Sequence, residues 1–517
     1  MQDIVIKLSM LFVFFAVMVG IGIYCRRHAT DVNGFVLGGR SIGPWLTAFA
    51  YGTSYFSAVV FVGYAGQFGW KYGIAATWIG IGNALLGSLL AWAVLGKRTR
   101  IMSQHLDSAT MPEFFGKRFD SRGLKLGASV IVFVFLIPYT ASLYNGLSRL
   151  FAMAFHIDYA VCVIVMAALT GVYVIAGGYM ATAINDFIQG IIMIGGIIAV
   201  VAAVLNSQGG FTAAVEALAR VSDETVSTAP GAFTSFFGPD PLGLLGVVIL
   251  TSLGTWGLPQ MVQKFYAIKN EQAIGKGAII STLFAAVVAG GCYFLGGFGR
   301  LFSSKVDIAK DGYDAVIPTM LADLSPILIA IVVILVLSAS MSTLSSLVLT
   351  SSSTLTLDFI KDIILPDMDE KKQIRLIRGL IVVFIAVSVV IALVQYNSGV
   401  AFIAQLMGVS WGALAGAFLA PFLFSLYWKR TTKAACAVNF VFSAAVMLAN
   451  IFFKAKFPAV LQSPINAGAF CMLAGLVIVP LVSLMTKAPK SQQVEKCFSC
   501  FAKIAEDEKK DLVTQND

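Results

Sequence analysis

The sequence predicts an all-α protein that crosses a membrane many times. The 517 residues are 58% apolar and only 12% charged, with a mean hydropathy of +0.85, whereas soluble domains carry about 25% charged residues. Apolar runs repeatedly reach the roughly 20 residues that span a bilayer. Two of these runs are interrupted by Gly, Pro and hydroxyl residues, which is typical of transporters built from inverted repeats.

About thirteen apolar segments are long enough, or nearly so, to be spanning helices. No cleavable signal peptide is indicated, because the first run is itself of spanning length. The predicted helices cover approximately residues 4–25, 45–67, 74–95, 124–155, 159–176, 184–205, 242–266, 274–302, 326–355, 376–394, 399–427, 434–453 and 467–485.

Basic residues in short loops predict the orientation in the membrane, because such loops stay in the cytoplasm. They follow the first, third, seventh, ninth and eleventh predicted helices: Arg26, Arg27, Lys97, Arg98, Arg100, Lys264, Lys269, Lys276, Lys371, Lys372, Arg375, Arg378, Lys429, Arg430 and Lys433. The N-terminus is therefore predicted outside and the C-terminus in the cytoplasm. Arg300 and its neighbours go against this rule, in a loop that also carries acidic residues.

Other classes of protein are not indicated. The net charge of +9 is explained by these loops and does not predict nucleic-acid binding. The histidines His28, His105 and His156 lie near helix ends or in loops, and no HExxH, Walker A loop or paired intramembrane carboxylates occur. Cys497 and Cys500 form a CxxC without a second ligand pair, so a zinc site is not predicted. An ATP-driven pump or an intramembrane protease is therefore disfavoured.

Three predicted spans carry unusual polar clusters. The second contains GTSYFS from Gly52, the seventh TSLGTWGLP from Thr251, and the ninth SASMSTLSSLVLTSSS from Ser338. A broken helix frees backbone groups that a partner, water or ion must satisfy. Freed carbonyls and nearby hydroxyls suit a hard cation such as sodium. The alternative is that small residues serve helix packing; the two breaks together favour the ion and substrate site.

Asp186, in TAINDFIQG, allows two interpretations from its position alone. An ionisable residue at membrane depth is a functional candidate. A carboxylate at the predicted start of the sixth helix, near the cytoplasmic interface, could instead be an N-cap.

These motifs together resemble the sodium/solute symporter family, which includes bacterial sodium/proline, sodium/galactose and sodium/pantothenate symporters. The resemblance extends from about Phe35 to Tyr427 and is carried by GFVLGGRSIGPWLTAFAYGTSYFSA, AGGYMATAINDFIQG, GLPQMVQKF and SASMSTLSS. It implies a five-plus-five inverted repeat of the LeuT type with broken helices. The implied organisation is an extra N-terminal transmembrane helix (1–30), a transport core (40–430), two accessory transmembrane helices (431–486) and a cytoplasmic tail (487–517).

The resemblance also implies a sodium site between the second and ninth predicted helices. Its expected ligands are the backbone carbonyls of Thr53, Phe56 and Ala339 and the hydroxyls of Ser342 and Thr343. The second helix is expected to stop near Thr53. Asp186 matches an aspartate of the family's sodium release path. The substrate-binding residues expected at the breaks are Ser54, Tyr55, Ser57, Tyr139, Thr255, Trp256 and Pro259.

This chain departs from the sodium/proline symporter at several of these positions. That symporter has an aspartate where Tyr55 stands, and aromatic residues where Thr251 and Thr255 stand, whereas Pro259 and Tyr139 match. The motif around Tyr55 looks closer to the pantothenate branch. The substrate is therefore expected to be a small organic solute, either an amino acid or a carboxylate-bearing metabolite.

The resulting expectation is sodium-coupled import by alternating access across the plasma membrane, a bacterial inner membrane. No enzyme activity and no cofactor are expected, only sodium as coupling ion. The expected partners are the solute, sodium and the lipid bilayer, not nucleic acid. The first alternative is a proton-coupled or uncoupled carrier of the same fold, motivated by Tyr55. A channel or a membrane sensor is a further alternative, disfavoured by the local polar clusters and the short tail.

Overall fold

The computed structural model describes residues 2–155, 158–398 and 403–514, and within these ranges nearly all regular structure is helical. The only β-type pairings there are the isolated bridges between Ile42 and Ile268 and between Asp223 and Ser227. The all-α prediction is therefore confirmed. The long helices pack mostly through apolar faces, as expected where lipid surrounds the protein and no water can satisfy an open backbone.

The first half of the chain forms twelve helices among the described residues, of which α9 is the longest. They are α1 Gln2–Cys25, α2 Val32–Leu37, α3 Pro44–Tyr55, α4 Ala65–Tyr72, α5 Thr77–Gly82, α6 Lys97–His105, α7 Met111–Phe119, α8 Arg122–Phe155, α9 Tyr159–Ser207, α10 Phe211–Ala219, α11 Pro241–Gly257 and α12 Pro259–Ala267. Wider π-type turns over Val59–Tyr64, Asn83–Leu90 and Trp92–Gly96 continue the chain between short helices.

The second half contains fewer breaks. Its helices are α13 Glu271–Gly296, α14 Ile308–Asp311, α15 Val316–Leu321, α16 Pro326–Thr354, α17 Lys361–Ile363, α18 Glu370–Ser398, α19 Ile403–Tyr427, α20 Lys433–Phe452, α21 Pro464–Met485 and α22 Ser491–Thr514.

Ten helical stretches among the described residues are long and apolar enough to cross a membrane, or eleven if the bent pair α11 and α12 forms one span. The count of thirteen is thus not reproduced by length and hydropathy. One reason is that the predicted fifth and sixth helices are joined in α9. Only Gly178 leaves the helical conformation there, with a φ of 56°. An added Cβ at Gly178 would also lie 2.7 Å from the Phe35 carbonyl oxygen, so glycine is required.

Several predicted loop residues meet at one end of the molecule. Arg98 donates a hydrogen bond of 3.0 Å to the Leu426 carbonyl, and Lys97 pairs with Glu271 at 2.9 Å. The tail helix α22 covers the same end, where Phe498 lies under the Arg118 guanidinium. The loops after the third, seventh and eleventh predicted helices therefore share one face, as the basic residues predicted; the side of the membrane remains a prediction.

Arg300 is the exception to the charge rule. It packs against Trp70 of α4 and forms an ion pair with Asp223 of the loop after α10. It is 3% exposed, and its Nη1 lies 2.7 Å from Asp223 Oδ2. Its guanidinium also packs on the rings of Phe233 and Trp70. The hydrogen bond from Arg300 holds the pKa of the Asp223 carboxyl well below its ordinary value of 3.8.

We expect Asp223→Asn to lower the melting temperature, because it leaves a buried guanidinium without its counter-ion. The cost is about 2 kcal/mol, below the 3–5 kcal/mol of a fully buried pair because Asp223 is partly exposed. A depressed pKa stabilises the fold above the ordinary value, and that stabilisation declines as the pH falls. Melting curves at neutral pH and near pH 3 test this: the gap between wild type and variant should shrink in acid. A gap independent of pH would contradict it.

Candidate functional site

The first helix break lies directly after Tyr55, where α3 ends. Phe56 has extended φ and ψ angles of −85° and 117°, so the break comes slightly later than the predicted position near Thr53. The last carbonyls of a helix have no partner within it, and those of Thr53 and Phe56 are therefore available. The hydroxyls of Thr53 and Ser54 bond to the carbonyls of Phe49 and Ala50, one turn earlier, and such back-bonding weakens a helix locally.

Two hydroxyls of α16 face this break. Thr343 Oγ1 lies 3.1 Å from the Thr53 carbonyl oxygen, 3.3 Å from that of Phe56 and 3.0 Å from that of Ala339. Ser342 Oγ lies 3.2 Å from the Thr53 carbonyl oxygen and 3.1 Å from that of Ala339. All five oxygens expected at the sodium site thus lie together, and all five residues are buried.

The number of protons decides what this cluster can hold. Each hydroxyl donates one proton, so two protons serve five close oxygen–oxygen contacts. Each carbonyl oxygen carries two lone pairs, so these contacts leave buried lone pairs without a proton, which is costly unless a cation sits among them. Carbonyl and hydroxyl oxygens are ligands that hard cations prefer. The cluster therefore has the chemistry of a neutral, all-oxygen cation site.

The second break separates α11 from α12. Leu258 is extended (φ −79°, ψ 122°), and Pro259 begins α12, where a missing N–H costs nothing. The two halves are bent by 46°. Gly257 permits this packing, because an added Cβ would lie 2.7 Å from the backbone nitrogen of Leu419. A break is thus present within the predicted TSLGTWGLP segment, at Leu258.

Three of the residues expected to bind substrate carry buried hydroxyls that form no hydrogen bond of regular geometry with the described residues: Tyr55, Ser57 and Tyr139. Ser57 and Tyr139 are neighbours, and the Tyr139 ring packs edge-on against Trp411 at 5.9 Å. The buried Tyr293 hydroxyl of α13, a helix packed against α3, also forms no hydrogen bond of regular geometry with the described residues. Unsatisfied buried hydroxyls are rare in proteins, so this group is a plausible surface for a polar ligand or water.

The other expected substrate residues are placed differently. The Thr255 hydroxyl donates to the Gly87 carbonyl at 2.8 Å, and the Trp256 indole donates to that of Leu86 at 2.9 Å. Their polar atoms are therefore occupied by the third segment. Ser54 lies on the far side of the break, where its hydroxyl is 3.0 Å from that of Ser346.

Asp186 lies well inside α9, past Gly178, and is fully buried. The interpretation as an N-cap near the interface is therefore wrong. Neither of its carboxylate oxygens accepts a hydrogen bond from the described residues. The nearest cation is Lys264, whose Nζ is 4.0 Å from Asp186 Oδ2.

The charge rule predicts Lys264 in a cytoplasmic loop, and this prediction is wrong. It belongs to α12 and is only 1% exposed. Its Nζ also donates to Ser346 Oγ at 3.0 Å. One feature of the sequence could have shown its true place. Lys264 follows Pro259 by only five residues, and a residue so close to a break inside the membrane is not expected to lie outside it. Tyr293 and Trp411 were missed because only folding brings α13 and α19 to the break.

The described residues contain no group of three or more His, Cys, Asp or Glu side chains that could hold a transition metal. All cysteines in the described ranges are free and buried, including Cys497 and Cys500 in α22.

Comparison with known proteins places these features in context. The family model described as "Sodium:solute symporter family" matches residues 35–439. The osmoregulated proline transporter OpuE of Bacillus subtilis is 29% identical over 492 residues, which is 94% of this chain and 96% of that protein. A sodium/proline symporter of Staphylococcus aureus strain JH9 is 30% identical over 448 residues, covering 85% of this chain and 84% of that protein.

Solved structures show the same fold. A sodium-coupled sialic acid symporter in a substrate-bound, outward-open state superposes with a TM-score of 0.73 at 18% identity, over 94% of this chain and 98% of that one. The nucleobase-cation-symport-1 transporter Mhp1, in a closed conformation, gives a TM-score of 0.51 at 13% identity over 89% and 97%. These neighbours are LeuT-fold transporters, so the fold of this chain is that of the LeuT class.

Proposed function

The chain belongs to the sodium:solute symporter family, and from this premise we infer that it is a secondary active transporter that imports a small organic solute together with sodium. The observation that carries the proposal is the group of five buried oxygens contributed by the end of α3, Phe56 and α16. The two hydroxyl protons cannot serve all five oxygen contacts, which favours a bound cation. Because the ligands are all neutral, a monovalent hard cation fits best.

Sodium bound there would connect two elements. The ligands Thr53 and Phe56 belong to the first break, and Ala339, Ser342 and Thr343 to α16. A ligand shifts a conformational equilibrium only by its differential affinity for the two states. We propose that the state in which α3 and α16 are close binds sodium more tightly, and that sodium thereby orders the substrate site on the other side of the break. The five-plus-five inverted repeat and the predicted division of the chain remain part of this proposal.

The substrate is proposed to contact Tyr55, Ser57 and Tyr139, since their hydroxyls are buried and form no hydrogen bond of regular geometry with the described residues. Thr255, Trp256 and Pro259 would then form the wall at the second break, with Ser54 facing the sodium side. Hydroxyl donors suit a carboxylate, which supports an amino acid or a carboxylate-bearing metabolite. The matched relatives are named as proline transporters, so proline is the first amino acid to test.

Coupling to sodium is proposed with the driving force directed inward. The membrane potential adds about 2.3 kcal/mol per charge per 100 mV. A carrier coupled to protons instead of sodium is the second candidate, because Tyr55 stands where the sodium/proline symporter has a carboxylate. The carboxylate of Asp186 does not replace it, because it lies 4.0 Å from the Lys264 ammonium. The N-terminus is proposed outside and the C-terminus, with α22, in the cytoplasm.

The first test is a thermal shift of the purified protein in sodium against potassium at equal ionic strength. We expect a sodium-specific rise in melting temperature, since a ligand at a hundredfold its Kd stabilises the folded state by about 2.7 kcal/mol. Uptake of a panel of amino acids and small carboxylates into proteoliposomes follows, with proline included. Equal melting in both salts, with uptake driven by a pH gradient instead, would contradict sodium coupling and select the proton-coupled carrier.

A further inference from the structure

Lys264 is a buried cation that the proposed transport cycle does not yet use. We propose that its ammonium, set against Asp186, lowers the affinity of the adjacent sodium site, so that sodium is held loosely enough to leave after translocation. This inference rests on the proposed function. It assigns Lys264 as a positioning residue of the sodium site, acting through charge and not as a ligand.

The surroundings of Lys264 indicate an electrostatic role. Its Nζ contacts Ser346 Oγ at 3.0 Å, lies 5.0 Å from the centre of the Tyr179 ring and is 4.0 Å from Asp186. An unpaired ammonium in such a place is very costly, so Asp186 compensates it. A separation of 4.0 Å is long for an ion pair and leaves both carboxylate oxygens without a hydrogen bond among the described residues. The two charges are therefore not locked to each other by a hydrogen bond, and each can interact with a third charge nearby.

Ser346 places this pair next to the sodium site. It lies four residues after Ser342 on α16, on the same face of the helix and about 6 Å further along the axis. Its hydroxyl also touches that of Ser54 at 3.0 Å, and Ser54 follows Thr53, a proposed ligand. The ammonium thus contacts a hydroxyl that lies about one helical turn from Ser342.

The net charge of the pocket then follows by addition. With Lys264 and Asp186 both ionised, the pocket is neutral before sodium enters and carries +1 afterwards. Removing the lysine charge leaves −1, which attracts sodium, and removing the carboxylate charge leaves +1, which repels it. For the ammonium, Coulomb's law with unit charges about 6 Å apart at an effective dielectric constant of about 20 gives roughly a hundredfold in affinity, and the carboxylate acts in the opposite direction.

The test is a sodium titration of melting temperature in four forms of the purified full-length protein, with choline replacing sodium. Lys264→Gln is expected to need at least about tenfold less sodium for half-maximal stabilisation than wild type, and Asp186→Asn at least about tenfold more. The double variant should return to within about threefold of wild type. In proteoliposomes Lys264→Gln should show a reduced maximal rate despite its tighter binding, because release becomes slow.

The opposite signs are the decisive readout, because a packing defect weakens sodium binding in both single variants. Lys264→Arg, which keeps the charge, is the matched control and should resemble wild type. If both single variants weaken binding, or neither shifts it, the inference is overturned. If Lys264→Gln fails to fold, the comparison of Asp186→Asn with the double variant still decides, and if Asp186→Asn fails to fold, the comparison of Lys264→Gln with the double variant does. Affinity that returns towards wild type in the double variant supports the inference, and no return overturns it. Absence of any sodium response in wild type would instead overturn the proposed function.

Discussion

Replacing Thr343 with valine is expected to remove most of the sodium-specific stabilisation of this protein. The Thr343 hydroxyl lies within 3.3 Å of three carbonyl oxygens. Its loss therefore removes one ligand of the cation and leaves the three carbonyl oxygens without the proton that it donates. Interactions of a neutral group with a charge contribute about 1.5–3 kcal/mol, or roughly ten- to hundredfold in affinity. Adding Ser342→Ala should abolish the response in the accessible range of sodium concentration.

The matched control is Ser352→Ala. Ser352 is a fully buried serine of the same helix, without a hydrogen-bond partner among the described residues and more than two turns from Thr343. It should keep the wild-type sodium titration. Melting in potassium separates loss of sodium binding from loss of stability, because only the sodium increment should disappear. A wild-type increment in the double variant Ser342→Ala/Thr343→Val would place the sodium site elsewhere.

Alanine at Gly69 is expected to be strongly destabilising, although it adds only one methyl group to the core. An added Cβ would lie 2.0 Å from the carbonyl carbon and oxygen of Gly296, and a Cβ at Gly296 would lie 2.1 Å from the Ala65 carbonyl oxygen. These neighbours are backbone atoms, which cannot rotate away, so α4 and α13 must separate. Overpacking costs about 1–3 kcal/mol, occasionally more, and this contact should lie at or above the upper end.

The yield of monodisperse protein and its melting temperature measure this effect. Gly195→Ala is the matched control, because Gly195 is also helical and an added Cβ there meets nothing within 4 Å. Since α4 continues the chain from the sodium-site break, a folded remainder of Gly69→Ala should also bind sodium less tightly. Equal melting temperatures for the two variants would show that the helices can move apart at little cost.

The residues of the proposed sodium site could be singled out from the sequence because their chemistry is local. Carbonyls are freed wherever a spanning helix ends, and the run GTSYFS gave that end a clear signature. The hydroxyls of Ser342 and Thr343 are adjacent in sequence, and a match to the family pattern paired them with the break. What remained uncertain was its place: Thr53 is still helical, and the chain becomes extended only at Phe56.

Lys264 shows why a rule based on single residues failed. A lysine a few residues from the end of an apolar run usually marks a cytoplasmic loop. Here the helix restarts at Pro259 and turns by 46°, which carries Lys264 inward instead of outward. Its partner Asp186 is 78 positions away in the chain, so no pattern near either residue could show that each compensates the other's charge.

The membrane character, the all-helical fold, the two broken segments and the chemistry of the cation ligands all follow from composition, hydropathy and short motifs, because each depends on residues close together in the chain. The direction of each side chain does not follow in this way. Thr255 and Trp256 turn their polar atoms to the third segment, while the hydroxyls of Tyr55 and Tyr139 form no hydrogen bond of regular geometry with the described residues. These side-chain directions depend on how helices that are distant in sequence pack against one another. Glycines such as Gly69 and Gly257 allow the close approach of two backbones, and only the folded structure shows which helices approach.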